Sequence, residues 1–233
     1  MYLMSMSPTR IASIVISLLL VIGSSVIHEI AHGWVALKCG DPTAKEAGRL
    51  TLDPRAHFDG FGSLILPLIM ALMGGPVFGF ARPVPYNPNR LKNPGRDDAL
   101  VALAGPVSNL LQALVGTALV YAFWHAISGL TLGSELAVEA CYWTMRVLTS
   151  YVYVNLVLAV FNLIPLPPLD GSKLVLPFLR GNALTKYYRI QQYSMPILIC
   201  VVYLVPTVLG IDPVGWIIDV TAGNLYDLLL SGV

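Results

Sequence analysis

An uncharged stretch runs from Ser13 to Ile27, and three ionisable side chains then fall within five positions, in His28-Glu29-Ile30-Ala31-His32. With its flanks, this run is long enough to cross a bilayer as a helix of about residues 9–38. Ionisable groups at membrane depth are costly and mark function by default. Four residues apart on a helix, His28 and His32 share a face. Two neutral imidazoles there can hold Zn²⁺, and Glu29 between them can take a proton from a metal-bound water. The plainer reading is a helix end entering the membrane interface, but it leaves the glutamate at depth without a task.

The whole chain supports a membrane setting. Of its 233 residues, 12% are charged and 56% hydrophobic, whereas soluble domains carry about 25% charged residues. The expected class is an all-α polytopic membrane protein, and the length suits a single membrane-embedded domain over 1–233. The N-terminal run does not read as a cleavable signal peptide, because only Arg10 precedes it and cleavage would remove the support of the motif. Nothing resembles a basic nucleic-acid surface. Cys39, Cys141 and Cys200 are far apart, so reduced, packed thiols are expected.

Apolar periodicity predicts transmembrane helices over about 9–38, 97–125, 134–163, 190–209 and 213–230. A polar segment covers 41–60. The apolar segment 61–80 is broken by Pro67, Gly74, Gly75 and Pro76. The next segment, 81–96, carries Pro83, Pro85, Pro88 and Pro94, which exclude a regular helix and favour a short extended element. A basic loop is expected to reach Arg189.

The positive charges fix a topology. Of 14 Lys and Arg residues, four follow the first helix (Lys38, Lys45, Arg49, Arg55). Four follow the broken segment (Arg82, Arg90, Lys92, Arg96), and four follow the helix ending near 163 (Lys173, Arg180, Lys186, Arg189). Positive residues collect on the cytoplasmic side. All three groups can do so only if 61–80 enters the membrane and returns, giving about five transmembrane helices plus one re-entrant segment. A hydrolytic zinc site needs three protein ligands and an open position. Asp170, in Leu169-Asp170-Gly171, is the candidate third ligand. With 61–80 re-entrant it emerges on the same face as the histidines; with a full crossing it would lie roughly 30 Å away. Taken alone, Asp170-Gly171 would read as a turn after prolines.

Three motifs in order carry a resemblance: His28-Glu29-Ile30-Ala31-His32, Gly105-Pro106-Val107-Ser108-Asn109, and Asn162-Leu163-Ile164-Pro165-Leu166-Pro167-Pro168-Leu169-Asp170-Gly171. The chain resembles the site-2 protease family of intramembrane zinc metalloproteases, in a compact form with no room for a PDZ or CBS domain. The motifs span a core of about 9–175, with accessory helices over about 190–230. The resemblance implies one Zn²⁺ per chain on His28, His32 and Asp170, with Glu29 as general base. It implies hydrolysis of peptide bonds in or beside transmembrane segments of membrane-protein substrates. It also implies a multi-pass protein of the prokaryotic cell membrane, with its active site towards the cytoplasm. Asn109 and Asn162 would line the site or position substrate, although interhelical hydrogen bonding accounts for them equally well. Gly105-Pro106 also fits close packing or a kink. The segment 80–96 resembles the element that pairs with unwound substrate.

Other polar residues read as ordinary. His57 and Asp59 fit a solvated turn, and His125 an interfacial helix end. Arg146, seven residues after Glu139, fits a structural ion pair or a water-filled outer cavity. A catalytically silent protein that binds membrane partners through the same fold is the main alternative function, but the intact Glu29 and ligand set oppose it. A zinc transporter would call for more acids and histidines along several helices.

Overall fold

The computed structural model describes residues 7–57, 60, 82–131 and 133–233. The first helix, α1 (Pro8–Lys38), starts at Ser7, whose hydroxyl accepts from the Arg10 amide, with Pro8 in the first turn. Proline has no N–H to leave unpaired there. Gly40, at φ +108°, turns the chain beyond the helix, a conformation that a side chain would strain. Two one-turn helices follow, α2 (Thr43–Glu46) and α3 (Pro54–His57). Then come a 3₁₀ turn at Pro88–Arg90 and the long helix α4 (Pro94–Ile127). Helix α5 (Glu135–Leu163) is capped by Ser134, which accepts from the Ala137 amide. It ends where Pro165 disfavours helical geometry at Ile164 (ψ 129°).

A 3₁₀ stretch, Asp170–Phe178, leads to α6 (Asn182–Gln191) and α7 (Ser194–Leu209). The chain closes with α8 (Pro213–Ile218), a π turn at Asp219–Gly223, and α9 (Asn224–Leu229). Helices α1, α4 and α5 are long and apolar enough to cross a membrane. The α6–α7 pair adds a fourth candidate if its two parts form one span. All-helical architecture therefore stands, and no strand occurs among the described residues. The expected re-entrant segment 61–80 lies outside them, as does Asp59.

Two expectations about the C-terminal half change. The stretch expected as a basic loop to Arg189 is mostly helical, as the 3₁₀ stretch and α6. The helix expected over 190–209 is bent by 70° between α6 and α7. Pro196 cannot donate to the carbonyl four residues back, so a helix cannot run regularly through the bend.

Helices α1, α4 and α5 pack as a three-helix core. Ala113 and Val120 of α4, Val152 and Leu156 of α5, and Ala222 of the π turn form its buried apolar cluster. Gly116 lets α4 and α5 approach closely: a Cβ there would lie 2.9 Å from Tyr151 and 3.0 Å from Val152. A second cluster, Ala36, Leu91 and Val101, packs at the C-terminal end of α1 with Tyr86 and Cys39.

Residues 82–87 cross that end of α1 as a strap without regular helix. Gly33 makes room for it, since a Cβ there would lie 2.7 Å from Leu50 and 2.9 Å from both Ala44 and Val84. Charged side chains hold the strap's backbone. Arg49 donates to the Arg82 carbonyl at 2.7 Å. Fully buried Asp41 accepts from the amides of Thr43 and Asn87 and from the Thr43 hydroxyl. Burial would raise the Asp41 carboxyl, but these donors hold it below its ordinary value. The Arg82 amide donates to the His57 carbonyl at 2.8 Å. The two described residues that flank 58–81 on either side are thus in contact.

Two polar residues differ from or refine their sequence readings. His57 is not in a solvated turn: it is 2% exposed, and its Nε2 bonds the Thr51 carbonyl at 2.9 Å. The short helix α3 turns it back towards Thr51. Arg146 forms no ion pair with Glu139 among the described residues. It donates to the Tyr142 hydroxyl at 3.0 Å and lies over the Trp143 ring, the helical neighbours at i−4 and i−3 being nearer than i−7. The three cysteines are free thiols.

Replacing Gly116 with Leu should lower the stability of detergent-solubilised protein by about 1–3 kcal/mol, the usual cost of overpacking a close contact. Gly23→Ala, where an added Cβ meets nothing within 4 Å, should leave the melting temperature unchanged or slightly raised. Equal effects would mean that α4 and α5 do not pack through Gly116.

Candidate metal centre

Two elements bring three donors together. His28 and His32 stand one turn apart on α1, and Asp170 opens the 3₁₀ stretch after α5. His28 Nε2 lies 3.1 Å from Asp170 Oδ2 and His32 Nε2 lies 3.2 Å from it; the two Nε2 atoms are 3.0 Å apart. The side chains are 9%, 11% and 14% exposed, respectively. Asp170 reaches the cluster because the chain folds back on the end of α5. Gly171 permits this, since a Cβ there would collide with the Leu163 and Ile164 carbonyls.

The outer nitrogens of the imidazoles are both engaged. His32 Nδ1 lies 2.6 Å from the Val101 carbonyl on α4. A carbonyl only accepts, so His32 Nδ1 carries a proton, and in the neutral imidazole that can bind a metal Nε2 presents a lone pair. His28 Nδ1 lies 2.6 Å from Asn109 Oδ1. Asn109 Nδ2 donates to Asn155 Oδ1 at 2.9 Å, and Asn155 Nδ2 donates to the Ser24 hydroxyl at 3.0 Å and the Tyr151 carbonyl at 2.9 Å. Ser24, Asn109 and Asn155 are at most 1% exposed.

This donor set fits a divalent cation. With both imidazoles neutral and protonated on Nδ1, as metal ligation requires, two lone pairs and a carboxylate oxygen face one another at 3.0–3.2 Å with no proton to share. Only a positive charge among them relieves that repulsion. Tetrahedral ligands about 2.0–2.1 Å from Zn²⁺ stand about 3.3 Å apart, close to the separations here. Gly105 keeps α4 clear of the cluster: a Cβ there would overlap both His28 and His32. Among the described residues no other group of three His, Cys, Asp or Glu side chains could hold a metal.

Glu29 follows His28 on α1, and its Oε2 accepts from the Val84 amide of the strap at 2.8 Å. That contact leaves Oε1 for another proton. Close by, Tyr86 of the strap donates to Asp98, and Lys173 donates to the Tyr86 hydroxyl at 3.0 Å. Burial and the Asp98 carboxylate push the Tyr86 phenol up, so it stays protonated.

The structure thus gathers His28, His32, Asp170 and Asn109 at one place, with Asn109 against the outer nitrogen of His28. Asn162 stands apart from this network: its amide donates to the Leu158 carbonyl of its own helix at 2.9 Å. Asn155 and Ser24 do not emerge from the motifs. Ser24, His28 and His32 are spaced at i, i+4 and i+8, which was a readable signal; a lone asparagine within an apolar helix was not.

Comparison with known proteins gives the same chemistry. The family model for peptidase family M50 matches residues 15–205. The chain belongs to peptidase family M50. Curated M50-type relatives include "Putative zinc metalloprotease YwhC" of Bacillus subtilis, 35% identical over 92% of this chain and 85% of the relative. "Putative zinc metalloprotease Rip2" of Mycobacterium tuberculosis is 30% identical over 90% of this chain and 74% of the relative. "Putative zinc metalloprotease MJ0611" of Methanocaldococcus jannaschii is 32% identical over 69% of each. No solved structure matches the chain significantly. Family membership places the chain among the site-2 protease-type zinc metalloproteases, and Zn²⁺ is the metal that these relatives imply for the cluster.

Within this family member, Gly105→Val should expel the metal while leaving the helices folded. Zinc measured by elemental analysis should fall well below that of the parent at unchanged helical circular dichroism. Full zinc content in Gly105→Val would mean that the metal does not sit between α1 and α4.

Proposed function

We propose that this protein is an intramembrane zinc metalloprotease that cleaves peptide bonds in or beside transmembrane segments of membrane-protein substrates, as in regulated intramembrane proteolysis. The observation that carries the proposal is the joint placement of a three-donor cluster and a glutamate beside it at the end of a membrane-length helix. His28, His32 and Asp170 hold one zinc ion. Bound there, zinc supplies Lewis acidity, polarising the scissile carbonyl and making a water more acidic. Glu29 takes a proton from that water on Oε1 and passes it to the leaving amine. The Val84 amide on Oε2 fixes the carboxylate's rotamer through both transfers. The intact glutamate disfavours the alternative of a catalytically silent binding protein.

A substrate helix hides its peptide bonds in its own hydrogen bonds, so it must unwind before a carbonyl can reach the site. Residues that lower helix propensity near the cleavage point therefore favour cleavage. The proposed topology has five crossings, with 61–80 dipping into the bilayer and returning. Two observations support it. The Arg82 amide meets the His57 carbonyl. The three basic segments also join at one end of the core, through Arg90–Glu46 at 2.9 Å, the Lys92 amide on the Cys39 carbonyl and Lys173 on Tyr86. By the positive-inside rule that end, and the active site, face the cytoplasm of a prokaryotic cell.

Glu29→Gln should keep one zinc per chain and abolish cleavage of a reconstituted single-span substrate. Cleavage at the parental rate would remove Glu29 from the mechanism and favour the binding-protein reading.

Topology is tested by single cysteines in a background lacking Cys39, Cys141 and Cys200. Thr51, Asn87 and Arg180 positions should react with an impermeant thiol reagent only from the cytoplasmic side, and Gly129 and Asp212 positions only from outside. Labelling of position 87 from outside would replace the re-entrant segment with a full crossing.

A further inference from the structure

We infer that Asn155, with Ser24, is a positioning residue that sets the protonation pattern of His28 through Asn109, the polarity of the whole relay being dictated by the backbone carbonyl of Tyr151. The inference rests on the reading of His28 as a zinc ligand. It assigns work to two residues outside the three motifs.

The logic starts at the atom that cannot change role. The Tyr151 carbonyl only accepts, so the Asn155 atom 2.9 Å from it is the amide nitrogen. Asn155 Oδ1 must then face Asn109, and Asn109 can meet it only with its own Nδ2. That leaves Asn109 Oδ1 towards His28 at 2.6 Å, so His28 Nδ1 must bear the proton. His28 Nε2 is thereby left with its lone pair towards His32 and Asp170. Turning either amide over would put two acceptors or two donors face to face among side chains at most 1% exposed, where an unpaired polar group is costly. Ser24 takes the remaining Asn155 hydrogen at 3.0 Å and ties the relay back to α1, one turn before His28.

The relay thus spans α1, α4 and α5, and it prepares a ligand. Outer partners of metal-bound histidines typically carry 10–100-fold in metal affinity. A neighbouring pair supplies a matched control. Tyr151 donates its hydroxyl to Gln112 Oε1 at 3.0 Å, joining the same two helices one turn away, with no link to an imidazole. If Asn155 merely glued α4 to α5, Gln112 would serve equally well.

The test uses the full chain in detergent, with two readouts. Zinc affinity, measured by competition with a chromophoric chelator, should fall about 10–100-fold in Asn155→Leu. It should fall less in Ser24→Ala, which leaves the Tyr151 bond, and not at all in Gln112→Leu. Equal losses in Asn155→Leu and Gln112→Leu, or no loss in either, would overturn the inference. The second readout needs no variant and no metal. In zinc-free parent protein with ¹⁵N-labelled histidine, His28 should show a protonated Nδ1. An unprotonated Nδ1 would overturn the relay even if Asn155→Leu does not fold. Absence of zinc binding by the parent, beside the expected nitrogen pattern, would instead defeat the reading of His28 as a ligand and leave the relay standing.

Discussion

Two imidazole lone pairs and a carboxylate oxygen held 3.0–3.2 Å apart repel one another unless a cation lies among them. The packing around the cluster follows from that constraint. Gly105 clears space on α4, and Gly171 lets the chain after α5 double back so that Asp170 can arrive. Each histidine is turned by an acceptor on its outer nitrogen, His32 by the Val101 carbonyl and His28 by Asn109. The helices contribute acceptors that place the proton of each neutral imidazole on its outer nitrogen, away from the cluster. The energy stored in this arrangement is available to whatever positive charge enters it.

A second constraint acts on Glu29. A general base must be held, but not by both oxygens. The strap meets this need by giving one backbone amide to Oε2. The strap is in turn fixed by Arg49 and Asp41, side chains buried because they bind its backbone rather than solvent. Gly33 permits the close crossing. Base, strap and first helix therefore form one unit, and a disturbance at the strap reaches the carboxylate without touching the metal ligands.

Much of this was legible in the sequence, for identifiable reasons. The ends of α1 and α5 fall within a residue of their expected positions, whereas Pro94, read as part of a segment without regular helix, opens α4 three residues before its expected start. His28, Glu29 and His32 declared themselves by spacing, and Asp170 by its position after a helix stop. The network behind them was less readable. Asn155 is one polar residue in an apolar helix, and its partners are 46 and 131 positions away. Nothing in local periodicity encodes contacts that depend on how three helices are rotated against each other. His57 misled for a similar reason, since a histidine in a polar segment reads as solvated until the fold that buries it is placed. The 70° bend between α6 and α7 was hidden because apolar composition continues through it, although Pro196 marked it.

The central claim is that a metal sits among two Nε2 atoms and one carboxylate oxygen. X-ray absorption at the zinc edge of the purified protein tests this most directly. The account predicts one zinc per chain in a four-coordinate shell of nitrogen and oxygen at about 2.0–2.1 Å, with the outer-shell scattering of two imidazoles. A sulfur neighbour at about 2.3 Å, or a shell with the scattering of one imidazole or none, would contradict it.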